Sequence, residues 1–549
     1  MNSSTEIKMH WLFRKSKWLH KFAGLVLIIF LMWMSISGIL MNHPDMIAGY
    51  SVPQWLLPSD YHIKNWNRSA MTRLVYSPSD SMLAFGCGKS GIWKSEDGGR
   101  TFSAFMEGLP KSRLYRKSYD LFILDGKQQQ LFAATNGGLY ICNLPDSRWQ
   151  QLIPGNHDES FLRIQQVKNQ LLIFSNSHIY KADLNAPDLK FTQLEVQRNE
   201  PQRQVSLVRL FFDVHYGKAW GLPGLLFFDL IGLIIFFLSI SAFYAWYFPK
   251  KRRREQQKKK PGKRRERLFY KYLFKYHLKI GVAAAFFMAI VAGTGLFMRP
   301  PLLAALADGW IPASAYPGFL EENPWDRKIH NAMYDAIEDR ILIEAEDGLW
   351  SGPSDFSRAF EKTTLKVPIF VMGATVLQTY AQHDLLIGSF SGLFHWQRQS
   401  GEAYSLRNGV KVTDTKTLRP SKFMVTGYLR TYDGREFMNT HEQGIIPIND
   451  SKRGDFFQQP AELMSGYRMP LWNYLFEIHN ARIFETWIGA FHILVIPLGS
   501  MLFLLVIFSG VFDWFYLKWG NKSGRVHSLI EKRQNGALPK MKKETESIV

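Results

Sequence analysis

A long apolar run that recurs at a fixed offset constrains this chain more than any other feature. Residues 20–44 read HKFAGLVLIIFLMWMSISGILMNHP, and residues 277–301 read HLKIGVAAAFFMAIVAGTGLFMRPP, in register at an offset of 257. His20 aligns with His277, Gly24 with Gly281, Ser37-Gly38 with Thr294-Gly295, and Met41 with Met298. At 1.5 Å per residue, about twenty apolar residues cross a hydrocarbon core of roughly 30 Å. Two further runs, at 224–248 and about 487–517, resemble each other in their approaches (VHYGKAWG and IHNARIFE) and in their exits onto Trp246 and Trp514, with one extra turn in the latter. The pattern predicts a four-transmembrane-helix bundle made from two parallel repeats.

The charge distribution sets the topology. Residues 250–279 carry fifteen Lys/Arg against two Glu, residues 1–21 five against one, and residues 518–549 eight against three, which accounts for the whole formal excess of +20. Basic residues confined to the flanks of apolar runs follow the positive-inside pattern and argue against a nucleic-acid partner. The order is then a cytoplasmic N-terminus (1–20), a first helix (21–42), an exported segment (43–214) and a second helix with its approach (215–248). A basic cytoplasmic loop (249–277), expected to be disordered apart from its ends, leads to a third helix (278–298). A second exported segment (299–478), a fourth helix with its approach (479–517) and a basic tail (518–549) complete the chain. The first run is too long for a signal peptide and lacks a small-residue cleavage site.

Both exported segments read as all-β and repetitive. Units at 83–105, 131–152 and 171–194 recur at 341–360 and 385–406, with a looser copy at 423–448. Each is an apolar strand, a Gly turn, an aromatic strand, a polar turn and a closing strand, at the spacing of propeller blades. Residues 95–102 (SEDGGRTF) fit the Asp-box pattern, in which an Asp ties down a hairpin turn. The fold class is therefore membrane α plus all-β, with one propeller-like body assembled from two inserted segments. Cys87 and Cys142 form no framework or metal cluster, and a bridge between them is left open.

Six histidines stand at or near the spans: His20, His43, His215, His277, His479 and His492. Neutral imidazole is the usual ligand of b-type haem iron, and two from facing helices make a six-coordinate site. His20 with His277, and His215 with His479, give one candidate pair at each membrane face. His492 is an alternative ligand or a proton site. His43 has no repeat counterpart. Asp229, inside the second run, needs a partner or a role. Arg299, Lys218 and Arg482 could neutralise haem propionates at the outer face, and Lys21 and Lys279 at the inner. There is no C-x-x-C-H, dinucleotide fingerprint, P-loop or H-E-x-x-H, so any electron donor is a quinol or a separate cytoplasmic reductase.

These helices resemble the PepSY-associated transmembrane family, which includes inner-membrane ferric-siderophore reductases. The family's H-x3-G…[ST]-G motif is met by His20, Gly24 and Ser37-Gly38, and again by His277, Gly281 and Thr294-Gly295. Its L-H-x-G approach is met at His215-Tyr216-Gly217; at His479, Asn480-Ala481 replaces the small-Gly step. The resemblance implies a bacterial inner-membrane protein with both termini cytoplasmic and a large periplasmic domain. It also implies two b-type haems, and electrons passed outward to a ferric siderophore or other ferric chelate. The exported segments resemble a propeller and not a PepSY module. The competing expectation is a haem-free, membrane-anchored propeller acting in binding or assembly.

Overall fold

The computed structural model describes residues 3–522, except 127, 145, 157, 201–202, 416–419 and 449–453. Four helices among the described residues are long and apolar enough to cross a membrane: Met9–Asn42, Lys218–Gln257, Arg264–Phe297 and Arg482–Lys518. They form a square in which the first and third each pack against the second and fourth. Leu27 and Leu31, Ile231 and Ile235, Met288, Phe503 and Ile507 bury against one another inside it. Val26, Ile29, Phe286 and Phe508 project outward and are exposed. An apolar exterior is stable where the solvent is hydrocarbon and every backbone polar group is satisfied within its own helix.

Helix boundaries depart from expectation in three places. The first helix is continuous from Ser3 to Asn42, well ahead of residue 21. The basic loop is not disordered: the second helix runs to Gln257 and the third starts at Arg264, leaving only a short connection between them. Ion pairs Lys251–Glu266 (3.1 Å) and Arg252–Glu255 (2.8 Å), and the ring pair Phe248–Tyr270 (4.9 Å), hold this hairpin against its own charge repulsion. The fourth helix enters through short pieces and is continuous only from His492 to Lys522. His492 opens that continuous stretch, ten residues into the apolar span Arg482–Lys518. The extra turn relative to the second helix is Glu485–Ile488. The basic tail from 523 onward lies outside the described residues.

The rest of the chain forms six antiparallel sheets, three from each inserted segment. They span residues 73–104, 118–154, 161–194, 329–363, 376–405 and 425–447; the first five have four strands, and the sixth has three among the described residues. First strands pack in sequence: Arg73–Tyr76 on Ser118–Leu124, then Phe161–Val167, Ile329–Asp335, Val376–Thr379 and Val425–Arg430. Val425–Arg430 in turn lies against Arg73–Tyr76. Across that contact the Asn439 amide donates to the carbonyls of Trp66 (2.9 Å) and Met71.

Two strand pairs tie the segments crosswise. Ser51–Pro53 pairs with Arg468–Pro470, and Gln204–Ser206 with Trp310–Pro312. The start of each segment is thereby fixed to the end of the other, directly beside the helices. Cys87 and Cys142 are free and buried in one core shared by the first two sheets.

The Asp box is a turn lock, as its pattern predicts. Asp97 Oδ1 accepts from Ser95 Oγ (2.8 Å), Arg100 N (3.0 Å) and Thr101 N (2.9 Å), and Oδ2 from Thr101 Oγ1 (2.6 Å). Partial burial opposes the charge, but these hydrogen bonds hold the carboxyl below the usual range. The chain beyond the sixth sheet then bonds to the same turn, Phe457 N to Gly99 O at 2.9 Å. Asp97→Ala should lower the stability of the body by about 1–2 kcal/mol, measured as its denaturant unfolding midpoint. An unchanged midpoint would contradict the role of Asp97 as a lock.

Candidate functional site

Each of the four spanning helices carries a small hydroxylic residue followed by Gly or Ala, and each such step receives one histidine from another element. At the bundle end that bears the basic hairpin, His20 Nδ1 lies 2.9 Å from Val506 O and 3.3 Å from Ser509 Oγ. His277 Nδ1 lies 2.8 Å from Ser241 Oγ. At the end facing the body, His215 Nδ1 lies 2.9 Å from Thr294 Oγ1, and His479 Nδ1 lies 2.8 Å from Ser37 Oγ. The small residue clears the space: a Cβ on Gly510 would sit 2.8 Å from His20 Cε1, and one on Gly295 3.1 Å from His215 Cε1.

Each hydroxyl also lies within hydrogen-bond reach of a carbonyl one turn back in its own helix: Ser37 of Trp33 (2.6 Å), Ser241 of Leu238 (3.0 Å), Thr294 of Ile290 (2.7 Å) and Ser509 of Val506 (2.9 Å). At His20 the Val506 carbonyl can only accept, so Nδ1 carries the proton; a hydroxyl that donates to its own helix favours the same tautomer at the other three rings. That leaves the Nε2 lone pair of all four rings free to bind a metal, with the ring fixed by a hydrogen bond on its other nitrogen. Burial pushes the His215 imidazole down to about 4, and burial together with His215 pushes His479 down to about 3. Both rings are therefore neutral at physiological pH.

His20 and His277 face each other with ring centroids 6.4 Å apart and planes at 85°. Two imidazoles sharing one metal at about 2 Å per bond would have centroids roughly 6 Å apart. Among the described residues there is no group of three or more His, Cys, Asp or Glu that could hold a metal ion. A metal held by two imidazoles here must bring its own equatorial donors, as a macrocycle does.

The body-facing histidines sit on short amphipathic helices, Leu207–Tyr216 and Leu471–His479, which lie against the third and first spanning helices respectively. Two residues after His215, Gly217 takes the left-handed conformation (φ 80°), and a Cβ there would lie 2.3 Å from Gly224 O. Two residues after His479, Ala481 adopts the same conformation (φ 58°) despite its side chain. The turn therefore survives the departure from the expected glycine, at a cost of about 1–2 kcal/mol.

A buried carboxylate stands two residues before each of these histidines. Asp213 accepts from Tyr316 Oη (2.9 Å) and from both terminal nitrogens of Arg327 (3.1 and 3.2 Å). Glu477 accepts from Tyr61 Oη (2.8 Å) and Arg482 Nε (2.9 Å). Neither carboxylate emerged from the sequence reading, although the acid-x-His spacing at 213–215 and 477–479 was a visible signal.

The remaining candidates separate cleanly. His43 Nε2 lies 2.7 Å from Asp229 Oδ2, and Asn42 donates to Asp229 Oδ1 at 2.8 Å, so these residues partner each other. His492 Nδ1 bonds to Gly489 O (2.9 Å) within its own turn. Arg482 is held by Glu477, and Lys218 pairs with Asp158. Arg299 has a buried Nε with no hydrogen-bond partner among the described residues. Lys21 and Lys279 are exposed.

The model of the PepSY-associated TM region matches residues 17–515. No curated protein matches the chain. Among solved structures, the extracellular domain of a putative hybrid two-component system from B. thetaiotaomicron is 10% identical, with a TM-score of 0.32, over 72% of this chain and 39% of that one. A second such domain from the same organism is 10% identical, with a TM-score of 0.33, over 73% and 42%. YCF48 from Cyanidioschyzon merolae is 10% identical, with a TM-score of 0.31, over 73% and 98%. This chain thus spans well under half the length of the first two.

Asp213→Ala should leave the half-buried Arg327 with only its longer contact to Asp326 (3.4 Å) and destabilise the protein by about 2–3 kcal/mol. Thermal melting in detergent measures this, and a shift no larger than that of an exposed Asp→Ala control would show the contact to be dispensable.

Proposed function

We propose, from the premise that this chain belongs to the PepSY-associated transmembrane family, that it is a di-haem membrane electron-transfer protein reducing a ferric siderophore or similar ferric chelate. The observation that carries this reading is the set of four half-buried imidazoles, each hydrogen-bonded through Nδ1 to another element. His20 and His277 would hold one b-type haem at the hairpin end, and His215 and His479 a second at the body end. The cofactor supplies a one-electron carrier; the chain supplies axial ligands, their orientation and a water-poor bundle. Arg299, with its unpartnered buried Nε, is the group best suited to a propionate at the body end. Seventeen residues separate His20 from Ser37, and His277 from Thr294, so the two levels lie about 25 Å apart along the bundle. That separation suits transfer from a quinol or cytoplasmic reductase across the membrane.

In this reading the two halves are parallel repeats, each contributing two spanning helices, one approach helix and three blades. The body is a six-bladed propeller closed where Val425–Arg430 meets Arg73–Tyr76. It lies in the periplasm of a bacterium, with both termini of the chain in the cytoplasm.

The absorption spectrum of the purified chain tests the cofactor: a b-type Soret band with about two haems per chain supports the reading, and a colourless protein removes it in favour of a haem-free assembly module. His20→Ala and His277→Ala should each remove the same half of the haem, and the double variant no more. His215→Ala and His479→Ala should do the same for the other half. His492→Ala should leave both; loss of the body-end haem in that variant, with His479→Ala sparing it, would transfer the ligand role to His492.

A further inference from the structure

The two body-facing histidines have unlike surroundings. Near His215 the cations are matched by acids: Arg327 and Arg209 bond to Asp213 and Asp326, and Lys328 and Arg198 to Asp347. Near His479 the balance is different. Arg68, which occupies the place of Arg327 in the other half, does not reach Glu477. Arg482 has taken that carboxylate, and Arg68 instead lies over the Tyr61 ring at 4.0 Å, with one bond to the Asp60 carbonyl. Lys89 occupies the place of Glu346, since Lys89 N bonds to Ser69 O as Glu346 N bonds to Lys328 O, and it has no acidic partner among the described residues.

Backbone bonds hold these groups together. Lys89 N donates to Ser69 O (2.7 Å), and Arg68 N donates to His441 O (2.8 Å), which draws three separate turns into one cluster. The His441 ring lies tilted against Phe390 (centroids 6.0 Å, planes at 51°), giving the cluster an aromatic side. The nearest carboxylate, Glu477, already accepts from Arg482 and Tyr61.

We infer that Arg68, Lys89 and His441 form an anion-binding roof above His479, and that the ferric chelate accepted there is an anionic one with carboxylate or catecholate donors. The inference rests on the reductase reading for the identity of the metal complex, not for the presence of the site. Uncompensated cations gathered on one half-buried surface attract a multivalent anion and favour it over a neutral or cationic competitor. The low affinity of Lys89 for its proton agrees: burial and the neighbouring Arg68 bring it down to about 8, as expected of an ammonium short of counter-charge. Burial, Arg68 and Lys89 bring His441 to about 4, so it takes part as a neutral hydrogen-bonding ring.

Gallium citrate, redox-inert and anionic, is the probe, titrated calorimetrically into the full chain in lipid nanodiscs. Lys89→Gln should weaken binding about fivefold and Lys89→Glu more, with the affinity falling as salt rises. Haem content and spectrum should not change. Arg68→Gln should act in the same direction, and Lys168→Gln, on an exposed ion pair elsewhere, should have no effect. The gallium complex of desferrioxamine B, which is positively charged, should bind more weakly and ignore Lys89. Unchanged citrate affinity in Lys89→Glu overturns the proposal. So does loss of haem or a spectral shift with citrate affinity intact, because the cations would then serve the cofactor's propionates. A colourless chain that binds gallium citrate through Lys89 leaves this site standing and removes the haem reading instead.

Discussion

A hydroxyl that already donates to its own helix can only accept, and this constraint governs the geometry of the membrane half of the protein. It favours the tautomer in which each partner imidazole carries its proton on Nδ1 and presents a lone pair on Nε2. It also requires close packing, because the hydrogen bond reaches 2.8–2.9 Å at Ser241, Thr294 and Ser37. Close packing in turn requires Gly or Ala after the hydroxyl. The square arrangement of helices follows: His20 needs the fourth helix beside the first, and His277 needs the second beside the third.

The body depends on the same arrangement from the other side. His215 and His479 do not belong to the spanning helices, so their positions must be fixed by something outside the bundle. Asp213 and Glu477 do this by receiving a tyrosine hydroxyl and an arginine. The crosswise strand pairs fix the start of both short helices at Ser206 and Pro470. A displacement of the body would therefore be transmitted directly to the two imidazoles.

Much of this was legible in the sequence. The four apolar runs, the offset of 257, the three β units per segment and the Asp box each correspond to an element of the structure. So do the histidines, since both equivalent pairs fall on equivalent hydroxyl steps. The pairings themselves were not legible. Ser37 and His479 are 442 residues apart, and no local pattern says which small residue receives which ring. The acceptor role of the Ser/Thr-Gly steps depends on a contact with another helix. Asp229 needs a partner by its position alone, but nothing in the linear sequence joins it to His43, 186 residues away. The hairpin at 250–279 was misjudged because a block of like charge was weighed as linear sequence. On two packed helices the same charges spread around a surface, with Glu255 and Glu266 placed to pair.

The divergence between the halves shows which features the geometry can release. The extra turn Glu485–Ile488 is inserted after His479 and ahead of Gly489, so the spacing from His479 back to Glu477 and the strand pair at Arg468–Pro470 is untouched. Gly221 and Gly489 keep nearly the same backbone, φ 62° and ψ −152° against φ 55° and ψ −144°. The turn after His479 keeps its left-handed residue even though alanine is strained there. By contrast, the charges that surround the two short helices have been exchanged freely, Lys89 for Glu346 and a displaced Arg68 for a bonded Arg327. Position is held where an imidazole must point at one place, and charge is free to differ where the chain meets whatever approaches from outside.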